Sequence, residues 1–379
     1  MLPMINIYRF FISLLFIIFA TILSGELSAQ KLVVGTYVFK DGSVYTGELV
    51  GGKPNGKGKT RLSNGDAYDG QYVKGKRQGH GTYTYSNGEK YEGQWFQDQQ
   101  HGRGIYYALN NNRYEGLWYR DKMDGKGTMF YYNGDRYEGN WKEGKRTGKG
   151  SYFYKNGASY IGEWNDDKKQ GKGVFDWGDG SKYDGQWADN ARNGRGLYLY
   201  SDGDSYLGTW KDDYQHGKGI YKFKNGDVYE GDYVEGERTG MGVFIFENGD
   251  KYQGHFFKGE QSGEGTFVWK NGTSYKGQWK DNKRNGQGTY KWRNGDTYIG
   301  HWKDNQMDGD GVFHYADGSK FKGQFKGGLR HGKGLEVKAD GTRFEGQFVN
   351  GEKEGKFTEY DRNGNIIKKG TYRNGKEVK

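Results

Sequence analysis

The sequence contains no cysteine, which excludes disulfides, thiolate metal sites and a lipid-modified cysteine, and leaves no redox compartment to be read from that residue. Apolar residues are scarce too: they make up 32% of 379 residues, against 69 glycines. A chain so composed would ordinarily be disordered for want of surface to bury. Charge of one sign is not concentrated either. The 58 basic and 48 acidic residues leave +10, an excess spread too thinly to be the footprint of a nucleic-acid binder.

Long hydrophobic runs are missing everywhere but at the start. Phe10 to Leu23 is uncharged over fourteen residues, follows Arg9, and gives way to Ser24-Gly25 and a polar stretch ending in Leu27-Ser28-Ala29-Gln30. A spanning helix needs about 20 apolar residues, so residues 1–30 read as a secretory signal with its cut near Ala29. An uncleaved signal anchor is the alternative. Export to the periplasm, cell surface or exterior is the corresponding expectation.

What the chain does have is rings, 17% of it, at fixed phases. Tyr91-Glu92-Gly93-Gln94-Trp95, followed after six residues by Gly102-Arg103-Gly104, returns every 23 residues without insertion or deletion. Tyr114, Gly116 and Trp118, then Tyr137, Gly139 and Trp141, repeat the figure. It runs from Tyr45 through Tyr298 and ends on Phe321 and Phe344, fourteen copies in all. Such self-similarity decides architecture before length does: one elongated array rather than two or three globules.

Within a unit, Thr82 to Tyr85 and Glu89 to Trp95 alternate at period two around Ser86-Asn87-Gly88, the pattern of a β-hairpin. Tyr83 and Tyr85 share a face with Tyr91 and Trp95 only if the loop has an odd number of residues. The expectation is a three-residue loop with its glycine left-handed, replaced by Asn110-Asn111 in one unit. Gly75, Asp98, Gly144, Asn190, Asp213 and Asn282 mark a second tight return, so the hairpins join into a continuous antiparallel meander. Tyr, Gly and Trp of one strand, with both glycines and two aromatics of the next, are expected on one side, rings filling the space over glycine. The other side is polar, as at Glu92, Gln94, Asp184 and Gln186.

The predicted fold is all-β: an elongated, single-layer antiparallel hairpin array of about 14 repeats of 23 residues. The array occupies residues 31–357, and 358–379 reads as a degenerate half-repeat capping the end.

Tyr-x-Gly-x-Trp followed by Gly-x-Gly, at this period, resembles the MORN repeat (membrane occupation and recognition nexus). The resemblance covers residues 35 to about 357. It implies an extended β-hairpin array acting as a scaffold or attachment module, in some relatives associated with phospholipid and in others joined to a kinase or methyltransferase domain that this sequence lacks.

No chemistry emerges from the motifs. The Gly-x-Gly elements open no helix and are not followed by Gly-Lys-Ser/Thr, so they are packing glycines rather than a phosphate loop. The seven histidines are dispersed over units too far apart to converge on a metal, and no serine, histidine and acid triad can be assembled. No catalytic, metal or cofactor site is expected. Basic residues are more suggestive. The middle residue of Gly-x-Gly is Lys57, Arg103, Lys126, Lys149, Lys172, Arg195 and Lys218 in the earlier units, with Lys145-Arg146, Lys168-Lys169 and Arg192 just ahead. Lys145, Arg146, Lys149, Lys168, Lys169, Lys172, Arg192 and Arg195 would make a basic edge able to meet anionic lipid. Pairing of these bases with Glu92, Glu115, Glu138 and Asp184 is the blander expectation and would cancel most of the field. The functional expectation is a non-enzymatic scaffold binding a protein partner along its surface. Binding to anionic phospholipid, and service to an enzyme on another chain, are the alternatives.

Overall fold

A computed structural model describes residues 31–378; the segment read as a secretory signal lies outside the described residues. The described residues form one sheet of 31 strands. Strand β1 (Val33–Val38) leads into β2 (Val44–Val50) and β3 (Lys53–Arg61), the first full unit. The count runs on without a break to β28 (Arg343–Val349) and β29 (Glu352–Tyr360), the fourteenth. Two strands follow, β30 (Ile366–Arg373) and β31 (Lys376–Val378). Each strand pairs antiparallel with its chain neighbours, from β1 on β2 to β30 on β31. At about 4.8 Å between strands, the sheet measures about 140 Å along its length. The boundary expected at 357/358 falls inside β29.

Two kinds of turn alternate. Between β5 (Lys76–Thr84) and β6 (Lys90–Phe96), Tyr85 N–H donates to Glu89 O and Gly88 N–H to Tyr85 O, both at 2.9 Å, enclosing a three-residue loop. Gly88 has φ 98°, and Asn111 takes φ 62° in the next unit, as parity required. Between β6 and β7 (Gln99–Tyr107) only two residues intervene, Gln97 and Asp98, both left-handed at φ 49° and 72°. That is the mirror-image turn whose twist suits a hairpin. Asp98 and its counterparts also close the ends: Asp167 Oδ1 accepts the backbone N–H of Arg146 at 3.0 Å.

Parity is broken once per unit. Gly93 pairs with Gly104 but Trp95 pairs with Gln100, so three residues of β7 face Gln94 alone. This bulge recurs in all fourteen units. The two glycines of Gly-x-Gly therefore do different work. Gly102 sits in the bulge at φ 61°, and a methyl there would strike the Gln94 side chain on the polar face. The expectation that it joins the rings is thus corrected. Gly104 lies on the ring side, where a methyl would come 2.5 Å from Cε2 of Tyr91.

The core is a ladder of rings on one side of the sheet. Trp95 meets Tyr68 and Tyr91 edge-to-face, each at 5.3 Å, the preferred geometry of aromatic quadrupoles. The same contact passes from unit to unit through Trp118, Tyr114 and Trp141 and onward to Phe348 and Phe344. Each motif tyrosine from Tyr45 to Tyr298 is buried. Its hydroxyl donates to the carbonyl three residues on, as from Tyr91 to Gln94 at 2.9 Å. At the end Phe357 replaces the second glycine, and Phe344 stacks on it at 5.3 Å instead.

Candidate functional site

The ring side of the sheet is largely occupied. The residues read as one basic edge are divided among three settings, and some of them complete this packing. Arg146 lies over Trp164 at 4.4 Å while its Nε donates to Asp167 Oδ1 at 2.9 Å. Arg192 repeats this over Trp210 at 4.2 Å with Asp213. Lys169 lies over Trp187 at 4.3 Å, where burial holds its ammonium below the usual lysine value against the opposing pull of Asp213. Lys145 and Lys168 stand at the turns, exposed, paired with Asp166 and with Asp189. Only Lys149, Lys172 and Arg195 project from the opposite face.

That opposite face is hollowed. A groove of about 1580 Å³ runs from His80 to Lys172, with Gly93, Gly104, Gly116, Gly127, Gly139 and Gly150 along its floor. A second hollow of about 590 Å³ takes up from Arg195 to Gln253. The floor is glycine because the motif tyrosines need that space on the ring side; on the groove side the same absence of Cβ leaves backbone bare. The walls carry Ile105, Leu117, Thr128 and Ile161 between charged residues.

The bulge sets the charges. Gln94 folds across Gly102 so that its Oε1 accepts the Arg103 N–H at 2.8 Å, and Gln186 does the same for Arg195 at 2.8 Å. At these two units the backbone of the base that follows the bulge glycine is thereby fixed at the groove, whereas Leu117, Asn140 and Glu163 stand opposite the bulges of Lys126, Lys149 and Lys172. Sequence reasoning paired these bases with the acids of the same face, and the structure corrects that. Glu92, Glu115 and Glu138 are taken instead by Lys90, Arg113 and Arg136 of their own strands, at 2.7, 2.6 and 3.0 Å. Asp184 is in register with Leu197. Among the described residues, Arg103, Lys126, Lys149, Lys172 and Arg195 have no carboxylate within 4.0 Å, whereas Lys218 pairs with Asp232 at 2.7 Å.

A smaller feature that the sequence did not single out lies at one rim. His101 is held between Phe96 and Tyr119, at 5.7 and 5.4 Å, and both outer rings are 47% exposed. Their shared position, just before the two-residue turn, was the available signal. Among the described residues no three His, Asp or Glu side chains gather closely enough to hold a metal.

Among solved structures, the sheet is similar to the TCP domain of SAS-4 (dCPAP) of Drosophila melanogaster in complex with a proline-rich motif of Ana2. The identity is 13% and the TM-score 0.27, over 39% of this chain and 81% of that one. It is similar to the TCP10 domain of Danio rerio CPAP at 12% identity and TM-score 0.16, over 71% of this chain and 99% of that one. Virginiamycin B lyase from Staphylococcus aureus matches at 12% identity and TM-score 0.13, over 84% and 96%. These likenesses are too distant to carry function. No curated protein matches. The MORN repeat family model matches fourteen consecutive units from residues 45–67 to residues 344–366, in the phase set by the tyrosines. With the ring ladder, the bulge and the unbroken 23-residue period, this places the chain in the MORN repeat family.

Proposed function

We propose that this chain is a non-enzymatic scaffold, exported by its N-terminal segment, that binds a protein partner in the groove opposite the ring ladder. The groove carries this reading. It is a long concavity of the polar face, it crosses several repeats, and its bare glycine floor lets a partner's backbone approach closely. The ring side carries shorter hollows, one of about 690 Å³ between Phe223 and Trp279, and offers less. Repeat arrays commonly use such extended concave surfaces for binding.

The test is site-specific photo-crosslinking in cells, with a benzophenone amino acid at Leu117 in the groove or at Tyr154 on the ring side. A discrete partner band from Leu117 and none from Tyr154 is the expected result. Crosslinks from Tyr154 alone contradict the assignment.

A second reading, attachment to anionic phospholipid, draws on the same unpaired bases. A bilayer is broad, however, and a cation row sunk between groove walls meets it poorly. Co-sedimentation with phosphatidylserine liposomes at low salt, lost as salt rises, is the behaviour that would favour it.

A further inference from the structure

The groove's bases form a ruler. Successive members of the row Arg103, Lys126, Lys149, Lys172 and Arg195 stand one repeat, hence two strands, apart. At about 4.8 Å per strand that is about 9.6 Å. All five are exposed, and as described none has an acid within 4.0 Å among the described residues. Their cross-strand partners are neutral in four cases: Leu117, Asn140, Gln186 and Thr209. The fifth, Glu163 opposite Lys149, turns its carboxylate toward Gly171 instead. The row ends abruptly. His80 precedes it, Lys218 is neutralised by Asp232, and Met241 follows. The unbroken run of free bases is therefore five consecutive units long, in the larger groove and its immediate continuation; Lys57 and Lys333, also exposed and without an ion pair among the described residues, stand apart from it.

Resting on the reading of the groove as a protein-binding surface, we propose that its occupant is an extended polypeptide in the polyproline II conformation with an acidic side chain at every third residue. A β-strand rises about 3.3 Å per residue, but its side chains three apart point to opposite faces, so only every other acid would meet the row. A polyproline II chain rises about 3.1 Å per residue and completes a turn every three, giving about 9.3 Å between side chains on one face. It stays within about 0.3 Å of the repeat, and over four intervals the accumulated slip is about 1.2 Å, well inside the reach of lysine and arginine stems. An α-helix rises about 1.5 Å per residue, so one repeat spans about 6.4 residues. Its acids would rotate off the row within two units. Uncompensated bases in a concave site select for the opposite charge and fix register along the array. Thirteen residues with acids at positions 1, 4, 7, 10 and 13 engage all five.

The purified full chain is titrated against three fluorescent 13-residue peptides of identical composition, five Glu with eight Ser and Gly, and read by fluorescence anisotropy. Glu stands at every third position in the first, at every second in another, and in one block in the third. The first is expected to bind at least tenfold more tightly than either other, with affinity falling as salt rises. Replacing Lys126, Lys149 and Lys172 together by Gln abolishes that preference and weakens binding tenfold or more; Lys168→Gln, at a turn, changes it less than twofold. Equal binding of all three peptides and of inorganic polyphosphate overturns the proposal, as does no binding at low salt, or binding to phosphatidylserine vesicles alone. If the peptides fail while Leu117 still crosslinks a partner, the ruler is wrong and the groove stands. If Leu117 captures nothing, the groove reading falls as well.

Discussion

Trp164 donates its indole N–H to the carbonyl of Gly150 at 3.2 Å, and Gly150 lies beneath the ring of Tyr137, where a methyl would come 2.6 Å from Cε2. One glycine thus serves two repeats: its missing side chain admits the ring of its own unit, and its carbonyl receives the indole of the next. Gly81, Gly104 and Gly173 do the same for Trp95, Trp118 and Trp187. Coupling between neighbours is built into the motif, so local damage should be felt on both sides.

Gly150→Ala should therefore lower stability by about 2–3 kcal/mol, the range of an overpacked core. Urea unfolding followed by tryptophan fluorescence measures it. Gly157→Ala, where a methyl meets nothing within 4 Å but φ is 92°, isolates the backbone cost, about 1 kcal/mol.

Tyr137→Phe retains the ring and removes only the hydroxyl that donates to the Asn140 carbonyl at 3.1 Å. A loss of about 1 kcal/mol is expected in the same urea experiment. Phe321 and Phe344 hold the equivalent positions without that bond, so the converse Phe321→Tyr is predicted to be neutral or mildly stabilising.

Neighbouring bases should differ sharply. Arg146 is wedged over Trp164 and bonded to Asp167, and Arg146→Ala is expected to cost about 1–2 kcal/mol. Lys145 is an exposed partner of Asp166, and Lys145→Ala should stay within about 0.5 kcal/mol. Thermal melts of the two variants side by side decide this.

Alkali should unfold the array cooperatively. Burial, with the Asp66 carboxylate added, pushes Tyr83 up to about 12, and burial pushes Tyr72 up to about 12, from an ordinary value of 10.0. Burial raises Tyr137 and Tyr160 as well. Above pH 10 the unfolded chain releases protons that the folded one keeps, so stability is whole below pH 10 and falls as pH rises through the folded values. Tyrosinate absorbance and loss of circular dichroism are expected to move together in one step, rather than as a gradual titration of a folded protein.

Much of this was legible in the sequence because identical constraints recur in every unit. The tyrosine phase, the odd loop closed by a left-handed Gly88 and the tight return at Asp98 each follow from side-chain parity or from turn chemistry. The bulge did not follow. A two-residue turn at Gln97-Asp98 would, by simple counting, place Gly93 opposite Gly102, and only the pairing of Tyr91 with Tyr106 reveals two extra residues. That miss hid the groove, because it left Gly102 among the rings and gave the following base no fixed place. The ion pairs were missed for a related reason. Glu92 was matched across strands, whereas Lys90, two residues before it on the same face, is nearer.

The account stands on glycine and ring interlocking from end to end into a long, open, one-layered sheet. Small-angle X-ray scattering of the full chain tests that most directly. A compact domain of 379 residues would have a radius of gyration of about 21 Å. A value well above it, with a maximum dimension beyond about 100 Å, is the predicted result; a value near 21 Å would contradict the account.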